Sequence, residues 1–272
     1  MTGEPLLKRA TAFLDGQNLF HSAREAFGYF HPNYDVLALS RRLCQTHEWQ
    51  LVEARFYTGV PDRNDDPFWH TYWAGKLGVM GREGVKVFSR SLRYRNKTFS
   101  LPDGTKHTVL VGEEKGIDVR LALDVIRLAH RQAYDVALIF SQDQDLSEVA
   151  EEIRIVAREQ GRWIKIASAF PCSPTSRNRR GIEKTDWIRI DRATYDACLD
   201  RRDYRPKPAG GNQREATAGA DRRVAAGRSD WRGMCARACN RSSASRQAPT
   251  RLVGTSASDR FAGGGARLVV AR

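Results

Sequence analysis

A chain of 272 residues with 41% hydrophobic side chains can bury a sizeable core, as one domain of about 200 residues plus a tail or as two small ones. No run of 18 apolar residues occurs, and the first ten residues lack the apolar centre of a signal peptide, so the expectation is a soluble, cytoplasmic protein with no membrane partner. The net charge of +13 is concentrated at one end: from Arg205 onward 14 Lys and Arg stand against 4 Asp and Glu, whereas residues 1–204 carry 31 against 28, so global charge argues only weakly for a nucleic-acid-binding body.

Ala10–Leu14 reads as a short apolar strand that ends in Asp15-Gly16-Gln17-Asn18, after which Leu19, Phe20, Ala23, Ala26 and Phe27 recur at helical spacing. Pro32-Asn33 breaks that helix, and a second is predicted over Val36–Thr46 with Asp35 as its cap. Leu51–Thr58 reads as a strand. In Asp66–Met80, Trp69, Tyr72 and Trp73 share one helical face, either a core-facing stripe or a stacking platform for bases. Val85–Phe88 is a further strand, followed by Arg90, Arg93, Arg95 and Lys97 interleaved with Tyr94 and Phe99. Pro102-Asp103-Gly104 predicts a hairpin over Lys97–Val111, which either tracks a phosphate backbone or is an edge protected by its charge.

Glu113–Asp118 leads into a helix with Ile117, Leu121, Val125 and Leu128 as its apolar stripe. Asp118 falls in the first turn, where the helix dipole favours a carboxylate, and Asp124 is also placed to pair with Arg120 or Arg127. In Tyr134–Leu146 a continuous apolar run, the mark of a strand buried on both faces, meets Ser141-Gln142-Asp143-Gln144-Asp145. On an extended backbone Asp143 and Asp145 point the same way, and two close carboxylates suit a hard divalent cation; Asp145 is equally placed to cap the next helix. That helix runs from Leu146 to Ala157 and stops at Gly161, Trp163–Ala169 returns as a strand, and Trp187–Ile190 adds an edge strand before a short helix over Arg192–Leu199. Between the last two strands, Ser173–Lys184 is a polar loop in which Arg177, Arg179 and Arg180 are placed to contact phosphate. Cys235 and Cys239 form the only close cysteine pair, with no second pair or neighbouring histidines, which speaks against zinc.

Alternating strands and helices predict a three-layer α/β/α sandwich with a mostly parallel central sheet over residues 9–204. Residues 205–272, rich in Arg, Ala, Gly and Ser, are expected to be a disordered tail. In this topology Asp15, Asp143 and Asp145 end strands and Asp118 begins a helix, so four carboxylates can converge at one end of the sheet.

Three blocks in this order, AFLDGQN (12–18), KGIDVRLALDV (115–125) and YDVALIFSQDQDL (134–146), make the sequence resemble the NYN-domain family of PIN-like ribonucleases, over roughly Thr11–Trp187. It departs at Gln142, where the family often carries glycine. The resemblance implies a Mg²⁺- or Mn²⁺-dependent endoribonuclease with Asp15, Asp118, Asp143 and Asp145 as catalytic and metal-holding residues and Asp124 at a more variable acidic position. It further implies that Asn18 orients Asp15 or the phosphate and that Ser141 is the small residue that turns the strand end toward the site. Lys115, Arg177, Arg179 and Arg180 are then candidates to hold the flanking phosphates of RNA, single-stranded or structured. A non-catalytic RNA-binding or adaptor module on the same fold is the alternative, and the oligomeric state stays open. A phosphate-gripping GxxxxGK[ST] loop is absent, and Gln17 replaces the second aspartate that a phosphatase of this sheet type carries.

Overall fold

The protein was analysed as a computed structural model, which describes residues 3–100 and 106–206. The turn at Pro102-Asp103-Gly104 and the tail from Lys207 onward lie outside the described residues. Six parallel strands form the central sheet: β1 (Lys8–Asp15), β2 (Trp49–Val60), β3 (Lys86–Ser91), β6 (Val136–Phe140), β7 (Lys165–Pro171) and β8 (Asp186–Ile190). Their spatial order is β3-β2-β1-β6-β7-β8, and β4 (Arg93–Ser100) and β5 (Lys106–Glu113) form a separate antiparallel hairpin. The sheet is covered by α1 (Gly16–Phe27), α2 (Val36–Thr46), α3 (Pro67–Arg82) and α6 (Arg192–Asp196) on one side, and by α4 (Ile117–His130) and α5 (Ser147–Glu159) on the other.

The period-2 alternation of strands divides the two cores. From β1 and β6, Ala12, Leu14, Leu138 and Phe140 enter the core under α1, α2 and α3, while Phe13, Ala137 and Ile139 enter the core under α4 and α5. Burial on both faces is why β6 reads as an unbroken apolar run, and each such Leu, Ile or Phe contributes roughly 1.5–3 kcal/mol relative to exposure. Arg9 pins the start of β1 beside β6: its backbone N–H, Nε and Nη2 all donate to the Asp135 carboxylate at 3.0 Å. In α2 the Asp35 side chain accepts the Ala38 N–H at 2.9 Å, as the sequence predicts.

Tyr72 and Trp73 are fully buried, with Trp73 against Phe56 at 5.9 Å between ring centroids and the Tyr72 hydroxyl donating to the Pro32 carbonyl at 2.5 Å. They form a core-facing stripe, and no base can reach them. The hairpin is longer than the turn signal alone indicates, pairing Arg93 with Glu113 at one end and Ser100 with Lys106 at the other. It does not edge the main sheet, because β3 and β8 hold those places. Instead it leaves the carboxyl end of β3 and returns at the start of α4.

Candidate functional site

The strand order reverses between β1 and β6: the chain leaving β1 enters α1 on one face, while the chain leaving β6 enters α5 on the other. Ligand crevices of open parallel sheets lie outside the carboxyl ends of the strands at such a switch point. Asp15 is the last residue of β1, and Ser141 follows directly on β6; Leu14 pairs with Phe140, so Asp15 and Ser141 are neighbours in register. Their side chains fall on the α4 and α5 side of the sheet, the same side as Phe13 and Ile139.

A small network fixes this crevice. Asp15 caps α1 by accepting the Asn18 N–H at 3.0 Å, and its other oxygen accepts a long bond from the Ser141 hydroxyl at 3.5 Å. The same hydroxyl accepts the Asp143 N–H at 3.1 Å, so one serine links two of the carboxylate residues. The Asn18 side-chain oxygen accepts the Gln142 N–H at 2.9 Å and ties the turn after β1 to the turn after β6. Asn18 and Ser141 therefore touch the elements that carry Asp15 and Asp143.

The electrostatics show which carboxylates share the crevice. Asp15 is buried, and its carboxyl is pushed up to about 7 by burial first, with the charges of Asp143 and Asp118 adding to the rise and the Asn18 N–H opposing it. The charges of Asp143, on the turn after β6, and Asp118, at the start of α4, thus both act on the Asp15 carboxyl at the end of β1. Glu114 joins them and is the residue that sequence reasoning missed. Burial, then the Asp15 charge, hold its carboxyl well above the usual carboxylate range, against the Gly59 N–H that it accepts; the Asp118 charge raises it further. Gly59 makes this approach possible, since a Cβ there would sit 2.5 Å from the Glu114 Cγ and 2.5 Å from the Leu92 Cδ2. The only local signal was an extra acid just before the KGID block.

Two predicted positions lie elsewhere. Asp145 is exposed, because residues Gln144–Leu146 curl into a 3-10 turn and the extended path that would align it with Asp143 does not exist. The reason is local: the Asp143 side chain accepts the Asp145 N–H at 3.1 Å, so the capping role belongs to Asp143. Asp124 is buried in a polar cluster of its own. It accepts Arg127 Nη2 at 2.8 Å, Tyr57 OH at 3.0 Å and Arg55 Nη1 at 3.1 Å, and Arg120 holds both of its oxygens. A carboxylate saturated by three guanidinium groups and a phenol is a structural anchor between α4 and β2.

Basic side chains border the crevice on two sides. Lys115 is exposed at the entry to α4, and its carbonyl accepts Arg90 Nη1 at 3.4 Å while the Arg90 guanidinium lies 5.3 Å from the Phe88 ring centre. Across the switch point, Arg177, Arg179 and Arg180 are exposed on the loop between β7 and β8, with Arg180 paired to Glu183 at 2.9 Å. On the hairpin, Lys97 is paired with Glu113 at 2.7 Å.

The donors gathered around Asp15 are all carboxylate oxygens, the chemistry that a hard divalent cation such as Mg²⁺ or Mn²⁺ selects, and in that respect they fit such an ion. Among the described residues no group of three or more His, Cys, Asp or Glu side chains is drawn closely enough together to surround one ion. Nor, among the described residues, is any helix long and apolar enough to cross a membrane.

Residues 9–179 match the family model described as the NYN domain. Among solved structures, the crystal structure of a protein of unknown function from Vibrio parahaemolyticus is similar at 18% identity and a TM-score of 0.43, over 73% of this chain and 99% of that one. The comparison with curated proteins found no match.

Proposed function

The chain belongs to the NYN-domain family, and on that premise we propose that it is a metal-dependent endoribonuclease that hydrolyses RNA phosphodiester bonds at the carboxyl end of β1 and β6. Membership of a nuclease-like, PIN-related family supports the class of reaction. The observation that supports the reading is the buried Asp15 carboxyl at the switch point of the sheet, raised by burial and by the charges of Asp143 and Asp118. Burying the Asp15 carboxyl beside the half-buried Asp143 and the exposed Asp118 costs stability, which a cation between them would offset.

In the proposed mechanism Asp15, Asp118 and Asp143 would hold Mg²⁺ or Mn²⁺, and the exposed Asp145 would add an outer carboxylate. The ion supplies polarisation of a phosphoryl oxygen and a bound water of lowered pKa. The chain's own work is positional. Ser141 and Asn18 fix the two turns that carry Asp15 and Asp143, so the acidic groups are presented with little freedom. Glu114, whose carboxyl burial holds well above the usual range, stands beside Asp15 and accepts the Gly59 N–H from the β2 side. Lys115 on one border and Arg177, Arg179 and Arg180 on the other hold the phosphates on either side of the scissile one, which the acidic centre alone would repel. Asp124 holds α4 to β2.

The test is cleavage of end-labelled single-stranded RNA and DNA by the purified protein with Mg²⁺, with Mn²⁺ and with EDTA. Metal-dependent RNA cleavage that EDTA abolishes is expected. RNA binding without cleavage under every metal condition would replace the enzyme by a binding module on the same fold.

A further inference from the structure

The loop between β7 and β8 carries three exposed arginines, and its backbone is held from outside at several residues between Arg177 and Lys184. Gln142 is buried between Ser141 and Asp143, and its side-chain Nε2 donates to the Arg180 carbonyl at 2.8 Å and the Asn178 carbonyl at 3.3 Å. Its Oε1 accepts the Ser22 hydroxyl at 2.8 Å. Gln144 repeats the pattern one step on: Nε2 donates to the Gly181 carbonyl at 2.9 Å, and Oε1 accepts the Glu183 N–H at 3.1 Å. Carbonyls only accept and a backbone N–H only donates, so each amide has one orientation that satisfies all of its partners. Gly181 seats the loop on the sheet, since a Cβ there would collide with Ser168 Oγ and stand 2.6 Å from Trp187 Cδ1.

We propose that Gln142 and Gln144 are positioning residues that clasp the arginine loop to the catalytic turn, so that the groove between them accepts a single RNA strand with Arg177, Arg179 and Arg180 set against its flanking phosphates. The inference rests on the ribonuclease reading for its substrate. The clasp itself rests on the hydrogen bonds. Both glutamines belong to the turn that carries Asp143, and Gln142 also ties that turn to Asn18 through its backbone N–H. Movement of the loop is thereby coupled to movement of the acidic centre. Gln142 has no left-handed backbone, as the positive-φ residues other than glycine among the described residues are Glu48, Gln132 and Lys184. A side chain fits at this position without strain, and glutamine uses the opening to reach across to the loop. The arginine side chains stay exposed while their backbone is fixed, which is the arrangement of a preorganised phosphate contact.

The experiment is a cycle of equilibrium binding with the full chain and a fluorescent single-stranded RNA oligonucleotide in EDTA, so that affinity is read without cleavage. Gln144→Ala and Gln142→Ala are each compared with a triple Arg177→Ala, Arg179→Ala, Arg180→Ala variant and combined with it. Loss of the clasp should weaken RNA binding about five- to tenfold and flatten its salt dependence, as expected when phosphate contacts are lost. On the arginine-free background the same changes should cost nothing further, because the clasp acts only through those side chains. Hydrogen exchange should quicken in residues 177–183, and in the Mg²⁺ cleavage assay the loss should fall on KM more than on kcat. Unchanged affinity in the clasp variants despite a loosened loop overturns the proposal, and so does an equal further loss on the arginine-free background. Gln144 is only half-buried, so its variant reports even where Gln142→Ala does not fold. A wild type that never cleaves RNA but shows the predicted binding cycle removes the ribonuclease reading and upholds the clasp.

Discussion

Asp15→Asn should make the protein more stable while destroying the proposed chemistry. Asparagine keeps the shape of the side chain and an oxygen to accept the Asn18 N–H, so α1 keeps its cap. What it removes is a charge that burial, Asp143 and Asp118 make costly. The displacement of the carboxyl from 3.8 to about 7 corresponds to at most about 4 kcal/mol, at about 1.4 kcal/mol per unit. The sign follows from the protons held. In the unfolded chain the carboxyl ionises near 3.8, and in the native state it stays protonated to about 7. The native state therefore binds the extra proton between those values, and the stability this group contributes at low pH is lost as pH rises through 7. Urea unfolding in EDTA should show Asp15→Asn more stable than wild type by about 2–4 kcal/mol at pH 8, with the gap about halved at pH 5. Millimolar Mg²⁺ should narrow the gap at pH 8 by stabilising the native wild type alone. Parallel pH profiles, or a variant less stable than wild type at pH 8, would refute the like-charge reasoning.

Asp124→Asn should lower stability by about 1–3 kcal/mol in the same urea assay, by leaving half-buried Arg55 and its neighbours short of a carboxylate, while Mg²⁺ still supports cleavage. Gly59→Ala drives a methyl group against Glu114 and Leu92, and a loss of about 1–3 kcal/mol is expected, read as a melting temperature lower by about 2–4 °C per kcal/mol. Truncation after Lys207 should preserve melting temperature and cleavage. Truncation after Cys198 removes Asp200 and Tyr204, the carboxylate and the ring beside the fully buried Lys76 ammonium, and should cost about 3 kcal/mol or more.

The sheet was legible because its central strands are buried on both faces, and an unbroken apolar run as short as Val136–Phe140, bounded by turn residues, suits a strand between two helical layers. The places of Asp15 at a strand end, Asp143 in the turn after a strand and Asp118 at a helix start were legible for a related reason. Each marks a boundary between an apolar segment and a turn or helix start, which is where a parallel sheet opens to solvent. The 3-10 turn at Asp145 was not legible, because alternation along an extended strand ignores the short-range competition of an aspartate side chain for a nearby N–H, and Asp143 wins that competition. The pairing of Asp124 with Arg120 and Arg127 is local and legible, whereas its partners Arg55 and Tyr57 lie some seventy residues away on β2 and leave no local mark. Glu114 went unnoticed for the same reason, since its burial depends on the missing side chain at Gly59. Gln142 looked like a departure from a glycine turn, and only its bonds to Ser22, Asn178 and Arg180 show what a side chain does there.

The central claim is that the acidic crevice performs metal-dependent hydrolysis, and the most direct measurement is single-turnover cleavage of labelled single-stranded RNA by wild type and Asp143→Asn, each with Mg²⁺ and with EDTA. Asparagine retains an oxygen to accept the Asp145 N–H, so the turn and the fold should survive, as circular dichroism would report. Mg²⁺-dependent cleavage by the wild type is expected, with a fall of at least about a hundredfold in the folded variant, on the order of 3 kcal/mol of barrier. Undiminished Mg²⁺-dependent cleavage by Asp143→Asn would contradict the claim.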